Sequence, residues 1–587
     1  MESKSTFSQV ILHLEKAYQN PSALNELVNG QWVSTSTQEM LQQIKEVTLG
    51  LHAFGLKRGQ KIAILAFPSP IWTIVDIALI LAGGVSVPIF PNISEENLVF
   101  QIEQTDARTV FLGAGIPDNL YIDHKSLFNA VIGIDENGYE PQGITLKKIR
   151  EMGRRLSQNE PQKYQELLDA IKPDDLATII YTSGSTGVPK GAEITQHAMT
   201  VLVSFKGFSW SPEKDRYLNI LPLAHVFGRM LNFCLVAWSI SIYYLNDVKL
   251  LPVASKAVHP TILVVVPRLL EKVYSKMIAN VDNAGFLKKA IGHWAFDLAN
   301  DENDDSLYKQ LMHPIADKIV YATLREAFGG CLRIIICGGA PLNAHLAHFY
   351  IDVGLPIYEG WGLTEAATVC VNYPEHRKIG TVGKPMPGMK IKIGPEGEVL
   401  VDGPIVMKGY YKNDEAIEKT FTADGWLRTG DKGIIDHEGY LTIVGRLKEM
   451  LKTSTGEYVV PIPIEQALTK APLVDMAMVV AEGRKYTTCL LFPDMEILKK
   501  LKENYGYSNM SDEEFLDSPV IRKEMQQVID QVNKHLNKAE KILDFRFVPQ
   551  PPTIENGELT PSMKIRRDAV EARYRDLIKS MYPEETV

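Results

Sequence analysis

The sequence has few cysteines, and they lie far apart. Its 587 residues include five, with no CxxC pair and no spacing that suggests a metal site. Scattered thiols of this kind are typical of reduced proteins without a disulfide framework. We therefore expect a cytoplasmic location. The cysteines are Cys234, Cys331, Cys337, Cys370 and Cys489.

The sequence also lacks an excess of positive charge and a long uninterrupted apolar run. Its formal net charge of -9 argues against general binding of nucleic acids, because such proteins present a basic surface. The most apolar stretch, residues 71–90, is interrupted by Asp76 and by the pair Gly83-Gly84. It predicts a buried helix followed by a strand, and no transmembrane segment.

The chain is long enough for several domains, and its composition is that of an ordinary globular protein. From about residue 45 to 350, short runs rich in Ile and Val alternate with helical patterns. Such runs are typical of strands buried on both faces of a parallel sheet, so the predicted fold is α/β with helices layered on parallel-rich sheets. The runs lie at residues 61–67, 107–113, 176–183, 261–267 and 332–339.

The pattern changes twice toward the C-terminal part of the chain. Residues 380–445 have glycine or proline every few positions and alternating apolar residues, which predicts a small antiparallel β subdomain. Residues 446–587 combine a helical stretch, two strand-like runs and a long polar helical tract, and predict a separate α+β domain. We expect a large N-terminal domain over residues 1–445 and a smaller C-terminal domain over residues 446–587.

A loop rich in small and hydroxylated residues follows one of the predicted buried strands. It reads "YTSGSTGVPKG" and covers residues 181–191. It is not a Walker A sequence, because two residues separate Gly187 from Lys190 and no hydroxyl follows that lysine. Its backbone N–H groups, hydroxyls and ammonium group can nevertheless bind an anion. A polar surface turn is the alternative, but the composition favours phosphate binding.

A strand–helix–strand unit is predicted over residues 333–369, with a glycine-rich stretch at the end of each strand. Since ligands collect at the carboxyl ends of parallel strands, both stretches are expected to face one crevice. Gly339 and Ala340 would let a flat base lie against the backbone, and Trp361 could stack on it. A helix start with Trp361 in the core is the alternative.

Three further polar positions suggest nucleotide chemistry, and a fourth carries little weight by itself. In the second glycine-rich stretch, Thr364 could bond a phosphate, and Glu365 is a carboxylate suited to Mg²⁺. Asp431 lies in a predicted turn and could accept hydrogen bonds from ribose hydroxyls, although a turn aspartate without a ligand is more common. Lys564 lies between a predicted turn and a helix, where a lone lysine is ordinarily solvated.

Taken in order, these stretches resemble the adenylate-forming superfamily, which includes acyl-CoA synthetases, luciferases and peptide-synthetase adenylation domains. The resemblance is strongest to long-chain fatty acid–CoA ligases and extends from about residue 30 to 575. It implies the α/β fold described above, with a mobile C-terminal domain. The motifs are "YTSGSTGVPKG", "LPLAHVFGR", "YEGWGLTE", "WLRTGD", "GRLKEMLKTSTGE" and "LTPSMKIRR".

The resemblance implies an acid–thiol ligase. A medium- or long-chain fatty acid would be activated by ATP as acyl-AMP, and CoA would then displace AMP. The substrates would be ATP, fatty acid and CoA, the cofactor Mg²⁺, and peripheral contact with a membrane could supply the acid. An acyl-carrier-protein synthetase and a catalytically silent nucleotide-binding protein are the alternatives.

The resemblance also assigns roles to residues. Glu365 would bind Mg²⁺, Lys564 would neutralise the forming adenylate, and His225 would lie beside the acyl and phosphate pockets. Lys448 would be the hinge of the C-terminal domain, and Lys452 a lysine that rotation brings to the site. The residues that would hold ATP are Thr182, Ser183, Gly184, Ser185, Thr186, Gly187 and Lys190 for the β- and γ-phosphates, Thr364 for the α-phosphate, Gly339, Ala340, Glu359, Gly360 and Trp361 for adenine, and Asp431 and Arg446 for ribose.

Some positions bear on the substrate. Arg229 resembles the long-chain fatty acyl branch, and no aspartate directly follows His225, so an amino-acid substrate is not expected. A structural histidine is the alternative for His225. Thr455 stands where glycine is usual, in the region that would line the thiol route. Four arginines at 566, 567, 573 and 575 could form a docking surface for an acidic carrier protein or a solvated helix face.

Overall fold

The protein forms two compact units, and each is built from three separate segments of the chain. We refer to them as the large unit and the small unit. The large unit comprises Met1–Leu270, Ala279–Thr429 and Ile434–Thr442, and the small unit Glu271–Ile278, Gly430–Gly433 and Ile443–Val587. The computed structural model describes residues 5–117, 120, 123–134, 144–182, 188–303, 306–554, 556–560 and 564–582.

Two parallel-rich sheets dominate the large unit, as predicted. Within the described residues one sheet has nine strands and the other seven, and their antiparallel pairs lie toward the edges. The first sheet runs in space through Lys384–Pro385, Ala367–Val371, Ile357–Leu363, Ile334–Cys337, Ile262–Val265, Arg216–Asn219, Ser241–Tyr244, Leu24–Val28 and Gln31–Thr35. The second runs through Ile144–Thr145, Ala130–Gly133, Thr109–Leu112, Lys61–Leu65, Val85–Ile89, Leu176–Thr182 and Lys190–Thr195.

The central strands of these sheets are buried along their whole length. Every residue of Ile262–Val265 and of Ile334–Cys337 is buried, which explains why their sequences are continuously apolar and do not alternate. The stretch at residues 71–90 forms the predicted helix and strand, Pro70–Leu81 and Val85–Ile89. That helix begins where the Ser69 side chain accepts a hydrogen bond from the backbone N–H of Trp72.

Helices connect the strands. Among the described residues, no helix combines the length and apolarity needed to cross a membrane. Helices up to the middle of the chain are Phe7–Leu14, Thr37–Phe54, Pro70–Leu81, Glu95–Thr105, Leu146–Asn159, Lys163–Asp169, Gln196–Thr200, Val226–Ala237, Leu251–Val258, Pro267–Asp282 and Phe286–Asn300. They are followed by Leu307–Ala316, Ala322–Glu326, Ala344–Asp352 and Asp414–Thr420.

The glycine- and proline-rich region after residue 380 forms the predicted small β structure. Its four described strands lie side by side in sequence order, and the first two are antiparallel. The domain boundary after residue 445 and the hinge at Lys448 remain predictions. The strands are Lys390–Ile393, Glu398–Asp402, Leu427–Ile435 and Leu441–Arg446.

The small unit has the predicted α+β character. The strands Val474–Val480 and Thr487–Pro493 are antiparallel, and Ile542–Phe547 adds to them in parallel. A short hairpin, Leu451–Lys452 with Tyr458–Val459, precedes them. Its helices are Pro461–Leu468, Met495–Asn504, Asp512–Leu516, Pro519–Asn533, Arg567–Arg573 and Arg575–Ser580.

Candidate functional site

The predicted phosphate loop connects two paired strands of the seven-stranded sheet. Leu176–Thr182 runs antiparallel to Lys190–Thr195, with Thr182 opposite Lys190. Both residues are half-buried. The two ends of the predicted phosphate-binding segment are therefore held side by side. The other residues predicted for this role, Ser183, Gly184, Ser185, Thr186 and Gly187, lie outside the described residues.

A tyrosine connects Lys190 to the carboxylate predicted to bind magnesium. The Nζ atom of Lys190 lies 5.3 Å from the centroid of the Tyr410 ring. The hydroxyl of Tyr410 donates a hydrogen bond to Oε1 of Glu365 at 2.5 Å. The side chains of Lys190 and Glu365 thus lie next to the same tyrosine. Tyr410 is not among the residues predicted from the sequence, where a tyrosine pair after a glycine is the signal at this position.

The two strands of the predicted strand–helix–strand unit are parallel neighbours, with Cys337 opposite Glu359. Immediately after the first strand, a Cβ atom at Gly338 would lie 3.1 Å from the carbonyl oxygen of Gly360 and 3.3 Å from the Phe227 ring. Such spacing is tight for any residue larger than glycine. The register therefore brings the predicted adenine-binding residues, Gly339, Ala340, Glu359, Gly360 and Trp361, to one edge of the sheet.

The alternative for this stretch combined a helix start with Trp361 in the core; the helix start is wrong, whereas Trp361 does lie in the core. The strand continues to Leu363, residues 364–366 form a turn, and Ala367–Val371 returns antiparallel to it. Thr364 and Glu365 lie in this turn. A Cβ atom at Gly362 would lie only 1.5 Å from the carbonyl oxygen of Ala367, so the hairpin requires glycine there. Trp361 is 9% exposed, and its stacking on a base stays a prediction.

Glu359 is a buried carboxyl group in this region. Its residue is 9% exposed, and burial raises the pKa of the Glu359 carboxyl to about 7, against the opposing effect of a hydrogen bond from the backbone of Gly380. Near neutral pH the group is therefore divided between its protonated and ionised forms. In the protonated form it can donate a hydrogen bond as well as accept one.

His225 caps a helix. Its Nδ1 atom accepts a hydrogen bond of 3.2 Å from the backbone N–H of Phe227, at the start of helix Val226–Ala237. The structural role considered as the alternative is therefore present. The helix also places Phe227 against Gly338, so the histidine motif lies near the adenine-binding residues. Its role beside the acyl and phosphate pockets stays a prediction.

Arg229 lies in the core, in an ion pair with Asp76. Both side chains are 0% exposed, and the Arg229 Nε and Nη2 atoms lie 2.8 and 2.7 Å from the Asp76 carboxylate oxygens. Arg229 also donates to the Thr178 hydroxyl, and the Ser86 hydroxyl donates to Asp76. The network ties the helix that His225 caps to the strand that leads into the phosphate loop. In the sequence, the signal for this ion pair is Asp76, because a charged residue inside an apolar run requires a partner when it is buried.

Asp431 lies in a strand, and its prediction as a turn residue is wrong. Residues 427, 429 and 431 of strand Leu427–Ile435 are buried alternately, and Asp431 is 4% exposed. The buried alternation, which overrides the turn-like glycines in the sequence, is the physical reason. Its Oδ1 atom lies 2.9 Å from Nε of Arg446. The two residues predicted to hold ribose are thus adjacent, although their role stays a prediction.

Lys564 belongs to the same cluster in the small unit. Its carbonyl oxygen accepts a hydrogen bond from the backbone N–H of Thr560, and its own N–H donates to the Thr560 hydroxyl. The residue reaches the surface, but protein packed around the ammonium group lowers its pKa, as does Arg446; Glu449 and Asp431 oppose this effect. The charges that influence Lys564 therefore include both predicted ribose-binding residues.

The two remaining predicted lysines are exposed. Lys448 lies in the short turn Leu447–Glu449, and Lys452 ends the strand Leu451–Lys452 with its Nζ atom 5.6 Å from the Tyr458 ring centroid. Thr455 is also exposed, and its hydroxyl bonds that of Thr453 at 2.8 Å. The roles of Lys448 as a hinge and Lys452 in the second half-reaction stay predictions.

Comparison with known proteins identifies related chains. The family described as AMP-binding enzyme matches residues 14–411, and its C-terminal domain family matches residues 448–586. The long-chain-fatty-acid–CoA ligase FadD15 of Mycobacterium bovis is 34% identical over 572 residues, covering 95% of this chain and 94% of that protein. The peroxisomal long chain acyl-CoA synthetase 7 of Arabidopsis thaliana is 28% identical, covering 97% and 85%.

Solved structures agree on the fold. The adenylation domain of a carboxylic acid reductase from Segniliparus rugosus, in complex with AMP and a carboxylic acid, aligns with a TM-score of 0.75 at 23% identity, over 99% of this chain and 94% of that one. The o-succinylbenzoate CoA synthetase of Bacillus subtilis aligns with a TM-score of 0.66 at 21% identity, over 96% and 97%. The predicted fold, α/β in the large N-terminal part and α+β in the smaller C-terminal part, is confirmed, and the chain belongs to the AMP-binding enzyme family.

Proposed function

We propose that the chain is an AMP-forming fatty acid–CoA ligase for medium- or long-chain acids. The observation that carries the proposal is its 34% identity to a long-chain-fatty-acid–CoA ligase over nearly the full length of both proteins. The clustering of candidate residues agrees with it. Lys190 and Glu365 share Tyr410 as a partner, and Asp431 lies against Arg446.

In the first half-reaction an oxygen of the fatty acid carboxylate attacks the α-phosphorus of ATP. The bond from that phosphorus to the bridging oxygen breaks, and pyrophosphate leaves with the bonding electrons. Thr182 and Lys190 hold the β- and γ-phosphates, and Asp431 and Arg446 hold the ribose. The Lys564 ammonium group offsets the negative charge on the reacting phosphate, so the chain contributes mainly positioning and electrostatic stabilisation.

The candidate metal residues fit a magnesium ion that arrives with ATP. Mg²⁺ is ordinarily held by one or two carboxylates together with substrate phosphates and water. In the part of the chain that the structure describes, there is no group of three or more His, Cys, Asp or Glu side chains that could hold a metal. Glu365 supplies a single carboxylate beside the ends of the phosphate loop. When bound, the ion neutralises phosphate charge.

In the second half-reaction the sulfur of CoA, after losing its proton, attacks the acyl carbonyl carbon. The bond from that carbon to the AMP oxygen breaks, and AMP leaves.

Two of the four arginines that suggested a docking surface for a carrier protein form ion pairs with glutamates. Arg567 pairs with Glu465 at 2.5 Å, and Arg573 lies 3.4 Å from Glu558. This engagement reduces the basic character of the surface and favours CoA as the acceptor.

The decisive experiment incubates the purified protein with Mg·ATP, a ladder of fatty acids of increasing chain length, and either CoA or a holo acyl carrier protein. Mass spectrometry then identifies the products. Acyl-CoA from the longer acids, with AMP and pyrophosphate in equal amounts, is the expected result. Acyl-carrier protein without acyl-CoA would establish the alternative acceptor, and ATP binding without either product would establish a silent protein.

Peripheral membrane contact is a further part of this proposal. Helix Phe286–Asn300 begins with Phe286 and Leu287, which are 91% and 70% exposed and are followed by Lys288 and Lys289. Aromatic and aliphatic side chains next to lysines can insert shallowly among anionic headgroups. Lys289 also pairs with Asp282 at 3.0 Å, which offsets part of its charge. Lys288 should therefore contribute the stronger attraction to anionic headgroups. Replacing Phe286 and Leu287 by serine should reduce cosedimentation with vesicles of phosphatidylglycerol and leave activity on dispersed acid unchanged.

A further inference from the structure

Tyr410 lies between two groups to which the proposed function gives a role in binding the triphosphate. Its hydroxyl donates to Oε1 of Glu365 at 2.5 Å, and the ammonium group of Lys190 lies 5.3 Å from its ring centroid. Lys190 begins a strand of one sheet, and Glu365 lies in a turn of the other. A single side chain therefore contacts elements of both large sheets.

The backbone around Tyr410 fixes the ring in place. Tyr410 forms an isolated antiparallel bridge with Ala192, in the strand that begins at Lys190. Three residues earlier, the N–H of Met407 donates to the carbonyl oxygen of Glu365 at 2.7 Å. The segment is thus bonded both to the lysine strand and to the glutamate turn. Tyr410 is 6% exposed, so its ring is closely packed.

The two contacts use different parts of the tyrosine. An O–H donor to a carboxylate makes a short, charge-assisted hydrogen bond that restricts the orientation of the carboxylate. The ring face carries negative charge density and attracts an ammonium group. We propose that Tyr410 is a positioning residue that sets the direction of the Glu365 carboxylate and the place of the Lys190 ammonium group before Mg·ATP binds. The inference rests on the proposed roles of Glu365 and Lys190.

The two contacts can be separated by substitution. Tyr410→Phe removes only the hydroxyl, and Tyr410→Leu also removes the ring. Tyr411→Phe is the matched control, because the neighbouring ring faces Lys61 at 5.0 Å and Lys412 at 5.2 Å instead. ATP binding is measured by calorimetry without fatty acid, so that no turnover occurs, first in EDTA and then over a series of Mg²⁺ concentrations.

Tyr410→Phe should raise the Mg²⁺ concentration for half-maximal ATP binding by roughly tenfold, the scale of one hydrogen bond to a charged group. Its ATP affinity in EDTA should stay at the wild-type value. Tyr410→Leu should weaken ATP binding in EDTA as well, since Lys190 loses the ring. Tyr411→Phe should change neither quantity. A wild-type Mg²⁺ curve for Tyr410→Phe would overturn the proposal, and so would an equal loss in EDTA and in Mg²⁺.

Glu365→Ala distinguishes failure of this inference from failure of the proposed metal role. If Glu365→Ala shifts the Mg²⁺ curve and Tyr410→Phe does not, the positioning role is wrong and the metal role stands. If Glu365→Ala leaves the curve unchanged, the metal role is wrong and the inference falls with it. Combining Tyr410→Phe with Glu365→Ala should give no larger shift than Glu365→Ala alone, because the hydroxyl acts through that carboxylate.

Discussion

At the scale of single residues, burial decides the chemistry of the candidate site. Glu359, Asp431 and Tyr410 are all at most 9% exposed, so the orientation of their side chains is set by neighbouring protein and only weakly by solvent. The sequence predicted two of these residues because the family motifs contain them. It could not predict that Glu359 has a raised pKa, because that depends on the packing of distant segments.

Glu359 should make stability depend on pH. With a folded-state pKa of about 7 against an ordinary value of 4.5, the folded protein holds a proton on Glu359 that the unfolded chain releases. Its contribution to the free energy of unfolding is therefore complete below about pH 4.5 and falls by about 3 kcal/mol as pH rises through 7. The difference in melting temperature between the wild type and Glu359→Gln should shift in favour of the variant from pH 5 to pH 8. A constant difference across this range would contradict the shifted pKa.

Lys564→Ala should abolish pyrophosphate release during adenylation and leave ATP binding nearly unchanged. The lysine is proposed to act on charge that develops in the transition state, so its loss should affect the rate far more than binding. Fatty acid-dependent pyrophosphate release and calorimetric ATP binding are measured on the same protein. Lys579→Ala, an exposed lysine in helix Arg575–Ser580, is the control. Wild-type pyrophosphate release from Lys564→Ala would show that this lysine has another role.

At the scale of elements, strands whose residues are all buried were predictable and edge hairpins were not. The run at residues 261–267 became the strand Ile262–Val265 because only apolar residues suit a strand covered on both faces. The glycines near Asp431 are typical of turns and predict one there, whereas the observed strand is set by pairing with Leu441–Arg446 in the four-stranded sheet. Such pairing is a tertiary effect that local sequence does not specify.

The Asp76–Arg229 pair offers a test of how the helix and the strand are held together. Arg229→Met should lower the free energy of unfolding by about 3–5 kcal/mol, because it leaves a buried carboxylate without its cation. The double variant Asp76→Leu with Arg229→Met should recover part of this loss, since neither charge remains. Urea midpoints measure both effects. Lys419→Met, which breaks the exposed pair with Glu415, should change the midpoint little. A loss no larger than that of Lys419→Met would contradict a stabilising buried pair.

At the scale of the whole molecule, the predicted division into a large α/β part and a smaller α+β part agrees with the fold, but the hinge remains a proposal. Composition changes near residue 446 were enough to predict a second domain. They could not show that Glu271–Ile278 and Gly430–Gly433 group with the small unit, because segments of the large unit separate both of them from Ile443–Val587 in the sequence. That grouping depends on contacts and not on local pattern.

Lys448→Pro should impair the second half-reaction and spare the first. Proline fixes φ and removes a backbone N–H, so it restricts rotation at the exposed turn Leu447–Glu449. Acyl-AMP formation is followed by pyrophosphate release in single-turnover experiments, and thioester formation by acyl-CoA from preformed acyl-AMP. Lys448→Ala, which keeps the backbone free, should leave both rates close to the wild type. Equal slowing of both steps by proline would argue against a hinge at this residue.

Gly362 separates two reasons for which a position in an enzyme resists change. A side chain there would collide with the carbonyl of Ala367, so the hairpin that presents Glu365 cannot form with another residue. In a library of variants selected only for folding, with no demand for turnover, glycine should still be retained at position 362. Glu365 should be replaced much more readily in the same library, because folding loses only its hydrogen bond from Tyr410. Comparing the two positions would show which restraint belongs to the scaffold and which to the reaction, even within three residues of chain.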